Sequence, residues 1–131
     1  MAIDGAGVLI AGPSGSGKSG LALQLIALGG DLIADDRTRL ELRDGWPWLL
    51  PPQRLAGVIE ARGLGLVATR PGAPAPLRLI VDMAEAETAR MPARREEIVL
   101  GQSVELVRRV DAPHFASAIV ILAKGGFWRD E

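Results

Sequence analysis

The sequence predicts a single α/β domain with a mixed central sheet. An apolar run at residues 7–11 is followed by a glycine-rich turn and by the helix-like stretch 20–28, which is the strand–loop–helix order of α/β folds. Apolar or alternating runs at residues 37–42 and 77–83 predict further strands. With 131 residues, of which 48% are hydrophobic, the chain can build one core, so we expect residues 1–131 to form one domain.

The glycine-rich turn has the pattern of a P-loop. Residues 12–19 read G-P-S-G-S-G-K-S, which fits G-x-x-x-x-G-K-[ST]. Glycines let consecutive backbone N–H groups point at phosphate oxygens, Lys18 reaches the β- and γ-phosphates, and the Ser19 hydroxyl ligates Mg²⁺. The alternative interpretation is a purely structural glycine turn. The residues predicted to bind a nucleoside triphosphate are Gly12, Pro13, Ser14, Gly15, Ser16, Gly17, Lys18 and Ser19.

The elements on either side of the P-loop follow from turn and cap signals. Asp4 and Gly5 predict the turn of a β-hairpin whose second arm leads into the loop. The helix after the loop is expected to end near residues 29–30, where two glycines suit a C-terminal cap. Residues 32–34 predict a short buried strand that ends in an acidic pair. Ligands of α/β sheets collect at such carboxyl ends.

Two groups of charged residues are candidates for chemistry. Asp35 and Asp36 could divide two tasks, one carboxylate facing the metal and the other the attacking oxygen, although an acidic pair is also common in polar turns. Glu60 stands among apolar residues, where burial of a lone acid is costly without a metal or a partner. Arg62 is the obvious partner, and a simple ion pair is the alternative to a metal ligand.

A second hairpin is predicted in the middle of the chain. Residues 37–42 alternate between apolar and charged side chains, the turn follows at residues 44–45, and Trp46 begins the return strand. Pro47 predicts that this return strand lies at the edge of its sheet. Trp46 and Trp48 could form a stacking platform for a base, but packing of the hairpin is the favoured interpretation.

The last third of the chain predicts three further elements. Residues 84–97 are charged and alanine-rich, which is typical of a solvated helix and loop. Residues 102–110 predict a strand. Residues 111–113 predict a cap for a helix at 114–124, and the lone His114 at its start is expected to be structural.

Composition excludes several classes of function. The formal net charge is −1 and no tyrosine is present, which argues against binding of nucleic acid or of an anionic membrane. Cysteine is absent, so thiolate metal sites and disulfides are excluded. No apolar run is long enough to cross a bilayer, and the first residues lack the features of a signal peptide. We therefore expect a cytoplasmic protein.

These motifs together resemble the catalytic domain of the HPr kinase/phosphorylase family, in particular its short alphaproteobacterial type. The family shows GPSGSGKS, then the phrase ADD, and then a signature similar to E-x-R-G-L-G. Here these are residues 12–19, 34–36 and 60–65, in the same order. The resemblance covers residues 1 to 83 well and the last third only loosely. The fold that it implies is related to phosphoenolpyruvate carboxykinase.

The resemblance implies a kinase that uses ATP or pyrophosphate, with Mg²⁺, to phosphorylate a seryl residue of HPr, the phosphocarrier of the sugar phosphotransferase system. It also implies the reverse reaction, in which inorganic phosphate removes the seryl phosphate and pyrophosphate leaves. A homo-oligomer, a hexamer in the family, is implied, as is the absence here of the family's N-terminal domain. The implied roles are Lys18 and Ser19 on phosphates and Mg²⁺, Asp35 or Asp36 as the base, Glu60 as a metal ligand, Arg62 in the signature and Arg90 in a mobile catalytic loop.

The chain departs from the family pattern in two places. The family's catalytic histidine, on the strand before the P-loop, has no counterpart, and residues 112–115 (A-P-H-F) replace an arginine-containing loop. Two alternatives therefore stay open. One is a nucleotide-sensing module that transfers nothing. The other is a small-molecule kinase, whose arginine-rich lid would have to come from Arg90, Arg94 and Arg95.

Overall fold

The computed structural model describes residues 1–35 and 37–128, and the predictions made for Asp36 lie outside these residues. Within the described ranges the chain forms nine strands and two helices. The strands are β1 (Ala2–Ile3), β2 (Ala6–Ala11), β3 (Arg39–Arg43), β4 (Trp46–Leu50), β5 (Val58–Ala61), β6 (Gly65–Ala68), β7 (Ala75–Ala86), β8 (Arg95–Val99) and β9 (Gln102–Arg109). The helices are α1 (Lys18–Ala27) and α2 (Phe115–Gly125).

A mixed sheet forms the centre of the molecule, as predicted. In the described part of the chain, seven strands belong to it, and β5 and β6 form a separate antiparallel hairpin. The long strand β7 pairs in parallel with both β2 and β9, and its first residues pair antiparallel with β4. The β1–β2 and β3–β4 hairpins are formed as predicted. The carboxyl ends of β2, β7 and β9 therefore meet at one edge of the sheet.

A bulge in β7 distributes its side chains over two hydrophobic clusters. Gly7 pairs with Leu77 while Val8 pairs with Leu79, so β7 contains one extra residue at this point. The extra residue reverses the alternation, and Leu77 packs in one cluster while Leu79 packs in the other. After the bulge, successive side chains alternate between the two clusters, so this almost continuously apolar strand buries side chains on both faces.

Both helices pack on the same face of the sheet. Leu25 of α1 and Ile119 of α2 are fully or almost fully buried, in the same cluster as Val8 and Val81. Ile59 from the β5–β6 hairpin completes this cluster. Packing of α1 fixes the position of its first turn, which contains Lys18 and Ser19 of the P-loop motif.

The strand predicted at residues 32–34 is not formed as such. Instead, isolated bridges join Ala2 to Asp31 and Leu32 to Pro71. Leu32 and Ile33 are buried as expected, but neighbouring backbone on both sides supplies only single bridges. The apolar content of residues 32–34 therefore predicted their burial correctly. It predicted a strand wrongly, because a strand also requires a partner strand for its backbone hydrogen bonds.

The prediction that Pro47 confines its strand to an edge is wrong, because β4 lies between β3 and β7. Arg43 and Trp46 flank the two-residue turn at 44–45 and form a hydrogen-bonded pair. Because such pairs alternate along an antiparallel ladder, the next pair, Leu42 with Pro47, is a non-hydrogen-bonded pair. The nitrogen of Pro47 therefore points away from β3. On its other side β4 pairs with β7 through Trp48 and Leu49, so the missing N–H removes no ladder bond.

The predicted helix and loop at residues 84–97 is also wrong. β7 continues to Ala86 and β8 begins at Arg95, which leaves a loop at residues 87–94. Among the described strands β8 pairs only with β9, so its other edge is exposed and can accept charged side chains. On a helix the same charged residues would indicate a face in contact with solvent. Pairing with β9 decides the structure here, not the composition.

The strand at 102–110 and the last helix are confirmed, but the predicted cap of that helix is not. His114 occupies the N-cap position without a capping hydrogen bond from its side chain. Asp111 instead accepts a hydrogen bond from Arg109 Nε at 2.8 Å. Neither helix within residues 1–35 and 37–128 has the length and apolar character needed to span a membrane.

Candidate functional site

The P-loop (residues 12–19) joins β2 to α1 at the edge where the parallel strands end. Gly17 is the N-cap of α1 with a φ of 95°, a conformation that suits glycine. In the described part of the chain no side chain caps this helix, and its first turn contains no acid. The free N–H groups and the positive end of the helix dipole therefore remain available to an anion.

Gly12 brings the loop against the end of β7. Its φ is 141°, and a β-carbon there would lie 2.8 Å from Ser16 Oγ and 3.2 Å from the β-carbon of Met83. Ser16 Oγ is buried and has no hydrogen-bond partner among the described residues. Buried hydroxyl groups are nearly always paired, so this orphaned oxygen fits a loop that is completed by phosphate oxygens.

A small cleft of about 60 Å³ lies beside the P-loop and brings together three of the predicted residues. Lys18, Ser19 and Asp35 all line it, together with Thr38, which the sequence did not single out. No ion pair joins Lys18 to Asp35 within the described ranges. A cation and a carboxylate that share a cleft without neutralising each other are both available to a ligand.

Asp35 connects the cleft to the second motif. The backbone N–H of Glu60 donates to Asp35 Oδ2 at 3.5 Å, a long hydrogen bond between residues 25 positions apart. This contact places the β5–β6 hairpin beside the acidic residue that follows the P-loop helix. Ile59 anchors the hairpin in the core directly before Glu60. Two motifs that are separate in the sequence thus share one side of the molecule.

The reasoning that singled out Glu60 was wrong in its premise, because the side chain is exposed and pays no cost of burial. The alternative, an ion pair with Arg62, is not formed in the described part of the chain either. Arg62 lies in the exposed turn of the hairpin and does not line the cleft. Both side chains are therefore free to reach a ligand or a partner.

Arg90 lies in the exposed loop at residues 87–94 and does not line the cleft. It forms no ion pair with any other described residue. The first residue of this loop is firmly held. The Glu87 carboxylate accepts hydrogen bonds from the backbone of Ala89 and Thr88 and from Arg95. These bonds, above all that from Ala89, hold the pKa of Glu87 below its usual value.

Asp82 is a candidate residue that the sequence analysis missed. It pairs with Ala11, the last residue of β2, and so lies at the carboxyl end of the strand next to the P-loop strand. Its carboxylate accepts the backbone N–H of Ala84 at 2.9 Å. P-loop enzymes commonly place an acid here for Mg²⁺. The signal in the sequence was an aspartate ending the apolar run 77–81.

Comparison with known proteins agrees with this geometry. The model of the family described as "HPr Serine kinase C-terminal domain" matches residues 1–72. The chain belongs to this family. The match contains the P-loop, Asp35 and the hairpin with Glu60 and Arg62, which are the residues that carried the resemblance in the sequence.

Individual relatives in the HPr kinase family match half of the chain. It is 47% identical over 66 residues to the HPr kinase/phosphorylase of Limosilactobacillus reuteri (strain DSM 20016) and 49% identical over 69 residues to that of Bordetella pertussis (strain Tohama I). Each match covers 50% of this chain, and the chain spans 21% and 22% of the two relatives.

The likeness in structure extends further along the chain. The solved structure of the Hpr(Ser) kinase/phosphatase from Coxiella burnetii matches with a TM-score of 0.75 and 26% sequence identity. The match covers 94% of this chain and 84% of that one. The P-loop kinase fold predicted from the sequence is thereby confirmed, including the last third, where the motifs alone gave little support.

Proposed function

We propose that this protein uses ATP and Mg²⁺ to phosphorylate a seryl hydroxyl of HPr, and that it also catalyses the reverse reaction with inorganic phosphate. The observation that carries the proposal is the cleft in which Lys18, Ser19 and Asp35 meet beside an uncapped P-loop. Membership of the HPr kinase family and the names of the relatives supply the acceptor. Pyrophosphate is a second phosphoryl donor in this proposal.

The P-loop holds the phosphoryl donor in this mechanism. Backbone N–H groups of the loop and the start of α1 bind the β- and γ-phosphates, and the Lys18 ammonium lies beside the transferred group. The buried Ser16 hydroxyl gains its missing partner when phosphate is bound. Each contact stabilises negative charge, which is the main catalytic requirement of phosphoryl transfer.

Mg²⁺ supplies electrostatic stabilisation of the phosphates when bound. The Ser19 hydroxyl and Glu60 are the residues that would hold it, with Asp82 as a further acid at the same edge. Within residues 1–35 and 37–128 no group of three acids or histidines forms a ready metal site. This fits Mg²⁺, which typically binds one or two protein ligands together with substrate phosphates and water.

A carboxylate of the acidic pair serves as the base. In the forward direction Asp35 accepts the proton of the seryl hydroxyl as the seryl oxygen forms a bond to the γ-phosphorus and the bond to the β–γ bridging oxygen breaks, releasing ADP. In the reverse direction phosphate oxygen attacks phosphoserine, pyrophosphate leaves, and the protonated carboxyl returns its proton to the seryl oxygen. Asp36 stays the alternative base.

Transfer of labelled γ-phosphate from ATP to purified HPr tests the proposal. We expect label on a serine of HPr in the presence of Mg²⁺, and a loss of about 10²-fold or more in the rate when the base is replaced in Asp35→Asn or Asp36→Asn. Asp44→Asn is the matched control, because Asp44 lies in the exposed turn between β3 and β4 with a φ of 53° that asparagine tolerates.

Two results would contradict the kinase proposal. If ATP binds with no transfer to HPr, the chain is better described as a nucleotide-sensing module. If small hydroxyl compounds are phosphorylated and HPr is not, it is a small-molecule kinase. The hexameric assembly and the cytoplasmic location stay predictions, and light scattering of the purified chain tests the first of them.

A further inference from the structure

In the described part of the chain, the seven-stranded sheet ends in three edge strands, β1, β3 and β8. Two of them are protected against pairing with another strand. β1 has only two residues, and Ala2 exchanges both of its backbone hydrogen bonds with Asp31 on the free side. β8 contains the consecutive acids Glu96 and Glu97, which disfavour pairing with an acidic or identical strand. β3 has neither form of protection.

β3 is a regular and fully exposed strand. Its sequence is R-L-E-L-R, and each of its residues is exposed. It pairs with β4 in one continuous register, and it contains no glycine or proline. A regular, exposed strand at the edge of a sheet is a template to which another extended segment can add.

The backbone of β3 has hydrogen-bonding groups on its free side. Arg43 and Trp46 form the hydrogen-bonded pair beside the turn, so every second residue of β3, counted from Arg43, bonds to β4. The backbone groups of Leu40 and Leu42 therefore point toward the free side, and no backbone group of the described residues bonds to them there.

The same two residues leave apolar surface in contact with water. Leu40 and Leu42 lie opposite Leu49 and Pro47, which are both buried. They nevertheless remain 36% and 51% exposed, because no further strand lies beside them in the described part of the chain. A strand added at this edge would remove part of their apolar surface from water, which favours association.

The charges on the other face of β3 are complementary to those of a second, antiparallel β3. In a pair centred on Leu40, Arg39 of each copy lies opposite Glu41 of the other. Glu41 is available for this contact, because Arg43 Nε contacts only its Oε2, at 3.0 Å. Arg39 forms no ion pair with another described residue. Two oppositely charged contacts therefore flank the central pair of leucines.

The other symmetric registers have unfavourable contacts. A pair centred on Glu41 brings the two glutamates together and places Arg39 opposite Arg43. A pair centred on Leu42 places Leu40 opposite Asp44, which lies in the turn with a φ of 53° and cannot continue a strand. The register centred on Leu40 thus satisfies the backbone, the apolar face and the charged face together.

We propose that β3 pairs antiparallel with β3 of a second copy of this chain, centred on Leu40, so that the sheets of the two copies become continuous. The contact is isologous, since the same residues of both copies meet about a two-fold axis. It does not depend on the proposed catalytic activity, and it fits a dimer or a larger assembly that contains two-fold axes. A single pair of short strands forms a small interface, so we expect a dissociation constant in the micromolar range or weaker.

Charge reversal tests the pairing, because the two single variants should complement each other. Arg39→Glu places acids opposite each other across the two-fold axis, and Glu41→Arg does the same with arginines. We expect each variant to self-associate at least about tenfold more weakly than the wild type, as measured by sedimentation velocity over a range of concentrations. An equimolar mixture restores opposite charges at both contacts and should associate within about threefold of the wild type.

Two controls make the comparison valid. Arg54→Glu changes the net charge by the same amount as Arg39→Glu, and Arg54 is exposed in the connection between β4 and β5. We expect it to self-associate like the wild type. Because neither Arg39 nor Glu41 is buried, the thermal unfolding of both variants should show a folded protein.

Each other outcome overturns the inference in a recognisable way. A wild type that is monomeric up to about 1 mM forms no such pair. Association that neither variant weakens means that the copies meet elsewhere. Association that Arg39→Glu strengthens indicates the register centred on Glu41, and a loss in Glu41→Arg alone indicates the register centred on Leu42. If both variants lose association and the mixture does not regain it, Arg39 and Glu41 do not meet across the two-fold axis.

Discussion

Gly12 combines a positive φ with a crowded site for a β-carbon, so adding a single carbon atom there is costly. Its φ of 141° lies in a region that is almost restricted to glycine, so alanine there costs about 2 kcal/mol in backbone strain. The new β-carbon would also lie 2.8 Å from Ser16 Oγ, and overpacking of this kind costs about 1–3 kcal/mol. We therefore expect Gly12→Ala to lower the free energy of unfolding by about 3–5 kcal/mol.

Gly15→Ala is the control that separates strain from contact. Gly15 lies in the same loop with a φ of 83°, but a β-carbon there meets no atom within 4 Å. Its cost is that of a left-handed residue alone, about 1 kcal/mol. Urea unfolding of the chain without ligand measures both values, and an unchanged m-value for the two variants makes the comparison valid.

The difference in free energy of unfolding between Gly12→Ala and Gly15→Ala tests whether the P-loop packs against the end of β7. A loss of about 2–4 kcal/mol more for Gly12→Ala corresponds to a further fall in Tm of about 10 °C for a chain of this size. Equal midpoints for Gly12→Ala and Gly15→Ala would refute the packing of the P-loop against the end of β7. That packing is what brings Gly12 close to Met83.

Two further predictions concern other parts of the molecule. Trp46→Phe should lower the free energy of unfolding by about 1–2 kcal/mol, because Trp46 Nε1 donates to the carbonyl oxygen of Leu77 at 2.8 Å, whereas Trp48→Phe removes no such bond and should cost less. Burial lowers the pKa of the Met1 amino group to about 5, so the unfolded chain binds more protons than the folded one between pH 5 and 8. Stability should therefore rise with pH across this window, by up to about 1.4 kcal/mol per unit. A chain with extra residues before Met1 keeps an amide donor to Val8 and should lose the dependence; identical pH profiles would contradict the prediction.

The sequence predicted those elements whose signals are local. The P-loop, the turn at Asp4 and Gly5 and the end of α1 each depend on glycine or on hydrogen bonds within a few residues, and all three are confirmed. The packing interpretation of Trp46 is confirmed as well, since its indole bonds to β7.

The errors in the assignment of strands all concern pairing between distant segments. Whether β8 forms depends on β9, and whether Pro47 is tolerated depends on which side of β4 faces β7. Neither fact is encoded near the residue concerned. The same limitation hid a groove of about 480 Å³ beside the P-loop, because its walls, α1 and the β9–α2 connection, are almost 90 residues apart and meet only through packing on one face of the sheet.

The position of the P-loop in the sheet accounts for the division of the site into two spaces. β2 lies beside β7, and β9 lies on the other side of β7, so the chain that leaves β9 toward α2 crosses the edge at which the loop ends. On the opposite side, the β5–β6 hairpin reaches Asp35 through the backbone of Glu60. A kinase needs its donor and acceptor to approach one phosphorus atom from opposite directions. The order of strands therefore brings the β9–α2 connection to the edge where the P-loop lies, and the hydrogen bond between Glu60 and Asp35 brings the separate β5–β6 hairpin there. In the proposed reaction Lys18 and Asp35 act between these two segments.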